Sequence, residues 1–243
     1  LVSVKDDEDW NVLQTFRTAW GHTGREMNTK LWTGKDPATE KAWQTIKHNQ
    51  DIEEGFLWGQ RAKYTSLYTT GRETTVTGGI ESFIKSNIKQ FSNTVPTETE
   101  FLYWMEDVLD YGKGGYVSKG DAMKWLIASP RWISTIETWA RNKIQYEPAS
   151  KRVGLKVGYW DCSHGTLVLV RHPLLRGSVH GSYCFVLDLN HITYRYHSGR
   201  DTHLRADIQA PSADAKEWEF VTDCGLQFEL EMAHGLAKGL KQS

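Results

Sequence analysis

The chain has 243 residues, enough for one large domain or two modest ones with a substantial core. Its 29 Lys/Arg against 30 Asp/Glu leave a formal net charge of −1, which excludes a global field that would draw the whole surface to nucleic acid or acidic lipid. Three cysteines, Cys162, Cys184 and Cys224, are too few for a disulfide framework, and neither an Asn-x-Ser/Thr sequon nor a run of about 18 apolar residues occurs; the expectation is a soluble protein made in a reducing, intracellular compartment.

The opening "LVSVKDDEDW" lacks the basic start and apolar stretch of a signal peptide, and Leu1 in place of a methionine implies a segment upstream. Residues 1–35 read as extended and loop-like, with "LQTFRTAWGHTG" rich in β-formers, and depend on another part of the chain for order. Asp36 as N-cap and Pro37 at the first helical position then open one long helix that runs to Gly59. Its apolar positions Trp43, Ile46, Ile52, Phe56 and Leu57 are separated by polar residues, so it buries only a narrow stripe and calls for neighbours on more than one side. "TTGRETTVTGG" (69–79) is a polar, glycine-marked junction between subregions. Thr97 and Glu100 form a capping-box pattern ahead of Phe101, Leu102, Met105, Val108 and Leu109, which predicts a second helix ending at Gly112. "GKGGYVSKGD" reads as a loop, "MKWLIAS" as a short buried strand, and Ser129-Pro130 opens a third helix bearing Trp132, Ile133, Ile136 and Trp139. From Val153 the pattern turns to strands: "VGLKVGYW", "TLVLVRH", "SYCFVLDL", "HITYRYH", "EWEFVTD" and "LQFELEM". The class is α+β. Eleven tryptophans point either to an aromatic-rich core or to large contact areas between molecules.

Asp161, Cys162, Ser163 and His164 invite a nucleophilic reading. Ser163, however, sits in no G-x-S-x-G elbow, Cys162 precedes no helix, and apolar runs flank "DCSHG" on both sides, so the cluster reads as a hairpin turn ending at Gly165. Six histidines between His164 and His203 are spaced too widely for H-x-H or H-E-x-x-H pairs. The sequence assigns no catalytic, cofactor-binding or metal-binding residue. Residues 151–205 hold eight Lys/Arg against three Asp, while 211–231 hold six acids against Lys216; these are either two oppositely charged surfaces of one domain or complementary faces of neighbouring subunits.

Taken in order, "FRTAWGHTG" (16–24), "ATEKAWQTIKHNQDIEEGFLWGQR" (38–61), "TGGIESFIKSN" (77–87), "VGYWDCSHGTLVLVRHP" (157–173), "YCFVLDLNHITYRYH" (183–197) and "CGLQFELEMAHGLAKGL" (224–240) resemble the major capsid proteins of tailed bacteriophages. The resemblance covers roughly 16–240 and rests on the ordered set rather than on one motif. It implies the capsid-floor fold shared by tailed phages and herpesviruses: residues 1–35 in an extended loop and its approach, 36–75 with the spine helix of a peripheral domain, 76–205 mainly an axial domain, and 206–243 the C-terminal strands of the peripheral domain. It implies "DCSHG" at a hairpin turn, and an N-terminal arm with the first half of the extended loop upstream. It further implies a non-enzymatic subunit, made in the host cytoplasm and carried in the virion. Such a subunit forms homo-pentamers and homo-hexamers of an icosahedral head, with scaffolding, portal and decoration proteins as further partners, double-stranded DNA held weakly and non-specifically inside, and no membrane. Two other readings stay open on the residues: a Cys/Ser-His hydrolase built on 161–164, and a single-stranded nucleic-acid-binding module using the basic 151–205 region.

Overall fold

A computed structural model describes residues 9–29, 37–65, 73–111, 123–139, 144–146, 158–162 and 164–241. In chain order the elements are β1 (Gln14–Thr23), α1 (Gly24–Asn28), α2 (Pro37–Trp58), β2 (Ala62–Thr65), β3 (Glu73–Val76), α3 (Ile80–Phe83), β4 (Ile88–Thr94) and α4 (Glu98–Asp110). There follow β5 (Met123–Ala128), α5 (Pro130–Trp139), β6 (Ile144–Tyr146), β7 (Gly158–Cys162), β8 (Gly165–Arg171), α6 (Gly177–His180), β9 (Cys184–Leu187), β10 (Ile192–Tyr196), β11 (His203–Ala206), β12 (Ala215–Phe228) and β13 (Gly235–Leu240). The chain divides into two compact units, one formed by the described residues of Leu1–Ser82 and Tyr194–Gln227, the other by those of Phe83–Thr193 and Phe228–Ser243.

The first unit is organised by β12. β1 pairs antiparallel with it over ten positions, from Gln14↔Cys224 to Thr23↔Ala215, while β11 and β10 take its other edge. The expected extended segment thus draws its order from a strand some two hundred residues later in sequence. It continues into α1, a short helix absent from the sequence reading, whose capping box joins Thr23 and Glu26. "EWEFVTD" and "LQFELEM", read as two strands, form a single 14-residue strand through Phe228. Gly225 between them is no turn: a Cβ there would lie 2.8 Å from the Val12 carbonyl and 3.1 Å from Thr77 Oγ1, so the glycine permits close approach. Asn11 locks that approach, its Nδ2 donating to the carbonyls of Leu226 (2.7 Å) and Gly78 (3.2 Å), and its Oδ1 accepting from Gly78 N (2.7 Å). α2 spans 22 residues as predicted, although its expected N-cap Asp36 lies outside the described residues. Gly55 of α2 lies against the Phe16 ring of β1, where a Cβ would meet ring carbons at 2.8 and 3.0 Å. The junction 69–79 contains β3, the antiparallel partner of β2.

The second unit is a seven-stranded mixed sheet in the order β4-β13-β9-β5-β8-β7-β6. β5 and β8 are parallel neighbours, so the chain must cross over between them, and α5 lies in that connection. α4 starts on its Thr97/Glu100 capping box and buries Phe101, Trp104, Met105, Val108 and Leu109, the i, i+3, i+4 stripe of an amphipathic helix. Phe101 is the hub of the core, its ring 5.5 Å from Trp104, 5.6 Å from Trp139, 5.8 Å from Trp132 and 5.9 Å from Trp160. Four of the tryptophans therefore belong to this core, not to an outer surface. The last strand, β13, runs parallel to β4 and antiparallel to β9, and was not anticipated. Its "GLAKGL" lacks β-formers, but Gly235 is required because a Cβ would sit 2.8 Å from both Trp104 and Val108 side chains of α4. The predicted loop at 112–121 and most of "VGLKVGYW" before Gly158 lie outside the described residues.

Candidate functional site

In the first unit, one face of the β12 sheet meets α2 through a buried polar contact. His48 of α2, 1% exposed, bridges Thr18 Oγ1 of β1 (2.9 Å from Nδ1) and Thr222 Oγ1 of β12 (2.8 Å from Nε2), and Thr222 continues to Thr202 at 2.9 Å. Burial pushes the His48 pKa down, against the pull of Asp51, so the ring is held neutral between two hydroxyls. The opposite face carries charge. Glu219 is 2% exposed and is bracketed by Arg17 Nε at 3.0 Å and Arg205 Nη1 at 2.7 Å, while Arg200 pairs with Asp223. The two linear charge clusters of the sequence thus fold onto each other: arginines of 200–205 neutralise carboxylates of 219–223 inside one sheet. The reading of those clusters as faces of separate subunits is corrected at these positions.

In the second unit, Lys124 occupies an inward position of β5 between the apolar Leu126 and the start of the strand, and is 1% exposed. Its ammonium donates to the carbonyls of Val108 (2.6 Å), Ala233 (2.7 Å) and Tyr111, two of which end α4. A cation placed there satisfies orphan carbonyls at a helix C-terminus and lies along the favourable direction of its dipole. Burial lowers the Lys124 pKa to about 8, opposed by Asp188, which leaves it protonated at neutral pH. His234, fully buried, accepts from Asp188 N at 3.2 Å through Nδ1 and reaches the Glu229 carbonyl at 3.1 Å through Nε2. Burial brings its pKa down to about 4. With every ammonium proton committed to a carbonyl and both ring nitrogens engaged by backbone, the Lys124 and His234 side chains hold strands and helix together and are not available for proton transfer to a substrate. Sequence reasoning passed over both. The available signal was Lys124 itself, a charge on the apolar period of "MKWLIAS".

The cluster 161–164 lies at the tight end of the β7–β8 hairpin, where Cys162 pairs with Gly165. Cys162 Sγ donates to the Gly165 carbonyl at 3.0 Å, and Asp161 Oδ1 accepts from Thr166 Oγ1 at 2.8 Å; Ser163 lies outside the described residues. The thiol's hydrogen bond goes to backbone rather than to a base, which is the geometry of a turn and not of an activated nucleophile. The histidines from 164 to 203 are dispersed over the two units: the His172 ring accepts from Leu174 N, His180 stacks on Tyr183, and His203 faces the Asp201 carbonyl. Among the described residues no group of three or more His, Cys, Asp or Glu is placed to hold a metal ion, and no helix is long and apolar enough to cross a membrane.

Part of the exposed apolar surface lies on α2. Of α2's described side chains only His48 and Leu57 are buried, whereas Trp43 is 68% and Ile46 57% exposed. Trp43 and Ile46, three residues apart, are neighbours on one surface of the helix.

A family model described as SU10 major capsid protein matches residues 3–241. Among solved structures, the chain is similar to the SrpI encapsulin of Synechococcus elongatus, with a TM-score of 0.60 and 11% identity over 94% of this chain and 74% of that one. It is also similar to a capsid subunit of cyanophage A-1(L), with a TM-score of 0.59 and 10% identity over 94% and 78%. The procapsid of satellite phage P4 gives a TM-score of 0.56 and 12% identity over 100% and 80%. At such identities these likenesses carry the fold alone. No curated protein sequence matches the chain. With the family model spanning nearly its whole length and its fold that of phage and encapsulin shells, the chain belongs to the SU10 major capsid protein family, and is a structural, capsid-forming protein of a tailed phage rather than an enzyme.

Proposed function

We propose that copies of this chain form the pentamers and hexamers of an icosahedral head that encloses double-stranded DNA, each subunit meeting its neighbours by heterologous contacts. In this reading α2 is the spine helix of a peripheral domain and the seven-stranded unit is the body of an axial domain. Residues 1–35 belong to the extended loop and its approach, 36–75 and the β12 part of the C-terminal strands of 206–243 to the peripheral domain, and 76–205 mainly, joined by β13, to the axial domain. The observation that carries the proposal is α2: a helix of 22 residues that leaves Trp43 and Ile46 in solvent is incompletely buried within one chain, and a second subunit supplies the missing surface. The discontinuous unit, in which Tyr194–Gln227 returns to the N-terminal segments that include α2, supports a discontinuous peripheral domain. Scaffolding, portal and decoration proteins are the further partners of such a head. DNA contact on its inner face is weak and non-specific, in keeping with a formal net charge of −1 on the chain.

Negative-stain microscopy with sedimentation tests this on the protein expressed with its upstream region and neighbouring structural genes. Closed shells, or pentameric and hexameric rings, are expected; a monodisperse monomer under every assembly condition overturns the proposal.

A further inference from the structure

The seven-stranded sheet is open at β4, whose one strand neighbour among the described residues is β13. Alternation puts Asn87, just ahead of β4, on the same side as Lys89 and Phe91, and Phe91 belongs to the core that α4 covers with Phe101 and Trp104. At this margin of the sheet, strand and helix bound a cleft of about 420 Å³. From α4 come Glu100, Tyr103, Trp104 and Asp107, the i, i+3, i+4 and i+7 positions of one helix face.

The polar groups of the cleft are ordered along it. At one end Lys89 stands near Glu100: the Thr97 backbone N–H holds that carboxylate in its ionised form, and the Lys89 ammonium adds to the effect. At the other end, Asn87 donates through Nδ2 to the carbonyls of Met232 and His234, which flank Ala233. Lys124 ties Ala233 to Val108, so Asn87 lies toward Asp107 and keeps its Oδ1 as an acceptor there. Among the described residues neither Lys89 nor Asp107 forms an ion pair. Between the two ends lie the rings of Tyr103, which is exposed, and Trp104, which is 7% exposed. The buried Trp104 Nε1–H has no hydrogen-bond partner among the described residues, a cost that the chain does not recover internally.

Two carboxylates, one ammonium and one unused N–H donor match a ligand of the reverse composition, with two cationic groups and one carboxylate. Glu100 and Asp107 are two turns apart, about 10 Å along α4. The α-ammonium and side-chain cation of an extended lysine or arginine are about 7 Å apart, and a hydrogen bond at each end completes the span. From this geometry we infer that the β4–α4 cleft binds a free basic α-amino acid of the arginine or lysine type. Its α-ammonium meets Glu100, its α-carboxylate meets Lys89 and the Trp104 N–H, its stem lies along the Tyr103 and Trp104 rings, and its side-chain cation meets Asp107 and Asn87 Oδ1. A simple diamine leaves Lys89 and Trp104 unmatched, and an anion faces both carboxylates. The site lies within one copy of the chain and is independent of the assembly reading above.

Equilibrium dialysis of the full chain against radiolabelled L-arginine tests this, and reads free subunits and assembled shells alike. The expected result is saturable uptake of one molecule per chain, half-complete below about 1 mM and displaced by L-lysine. L-Argininamide lacks the carboxylate, N-acetyl-L-arginine the α-ammonium and L-norleucine the side-chain cation; each should compete at least about tenfold more weakly. Asp107→Asn should lower the affinity for L-arginine at least about tenfold with native circular dichroism retained, and Lys89→Met should abolish the preference for L-arginine over L-argininamide. No saturable uptake up to about 10 mM overturns the inference. So does equal competition by L-argininamide or by N-acetyl-L-arginine, the first of which marks a general attraction of acids for cations. Unchanged binding in both variants places the uptake elsewhere and overturns it as well. Failure of the chain to form shells bears on the assembly proposal and not on this site.

Discussion

Three backbone carbonyls converge on the Lys124 ammonium, and the residue is 1% exposed. Lys124→Met keeps much of the side-chain volume but orphans the Val108, Tyr111 and Ala233 acceptors, so the chain should lose about 3 kcal/mol of stability, read as a lower midpoint in urea unfolding. His234 makes a prediction in pH. Its pKa is 6.5 unfolded and about 4 folded, so between these values the unfolded chain binds the extra proton. The stabilising contribution of the neutral ring is therefore complete above about pH 6.5 and is lost as pH falls toward 4, by on the order of 3 kcal/mol. A stability profile of His234→Asn should lack that acid limb over this window; a profile parallel to wild type would refute the assignment. His48, lowered in the same direction by its burial, adds to the slope and makes the His48→Asn chain a second comparison.

At the scale of elements, the long pairing of β1 with β12 depends on the close approach at Gly225. Gly225→Ala inserts a Cβ 2.8 Å from the Val12 carbonyl, and should cost about 1–3 kcal/mol, with the loss visible in thermal melting. α4 responds to its cap: Thr97→Ala removes the hydroxyl that accepts from Glu100 N, leaves the backbone N–H of position 97 donating to Glu100 Oε2, and should cost about 1 kcal/mol, without altering the far end of the helix that Lys124 holds. The same elements mark what was legible beforehand. α2, α4 and α5 were readable because caps, prolines and 3.6-residue apolar periods are local signals. β13 and the unbroken length of β12 were not, because their glycines answer to Trp104, Val108 and Val12, residues distant in sequence. The same reason hid the Lys124 and His234 contacts, while the 161–164 turn was readable from its flanking apolar runs.

For the whole molecule, exposure separates folding from assembly. Trp43→Ser and Ile46→Ser remove surface side chains of α2, so each should shift chain stability by no more than about 0.5 kcal/mol while lowering the yield of shells in sedimentation. Equal losses of stability and assembly would mean that these side chains act within the chain. Replacing Cys162, Ser163 and His164 together with alanine should leave assembly intact, since the described partners of this turn are backbone and Thr166.

By itself the sequence determined the α+β class, three of the longer helices, the hairpin at 161–164 and, through an ordered set of segments, the capsid family. Those features are carried by local periodicity, capping chemistry and collinear pattern. Only the tertiary structure decided where charge is spent. Arg200 and Arg205 lie close in sequence to Arg171 and Arg176, yet the first pair is neutralised against β12 and the second is left at the end of a sheet. Strand register, a non-local property, sets which opposite charge comes within reach of each arginine, and no composition count contains it.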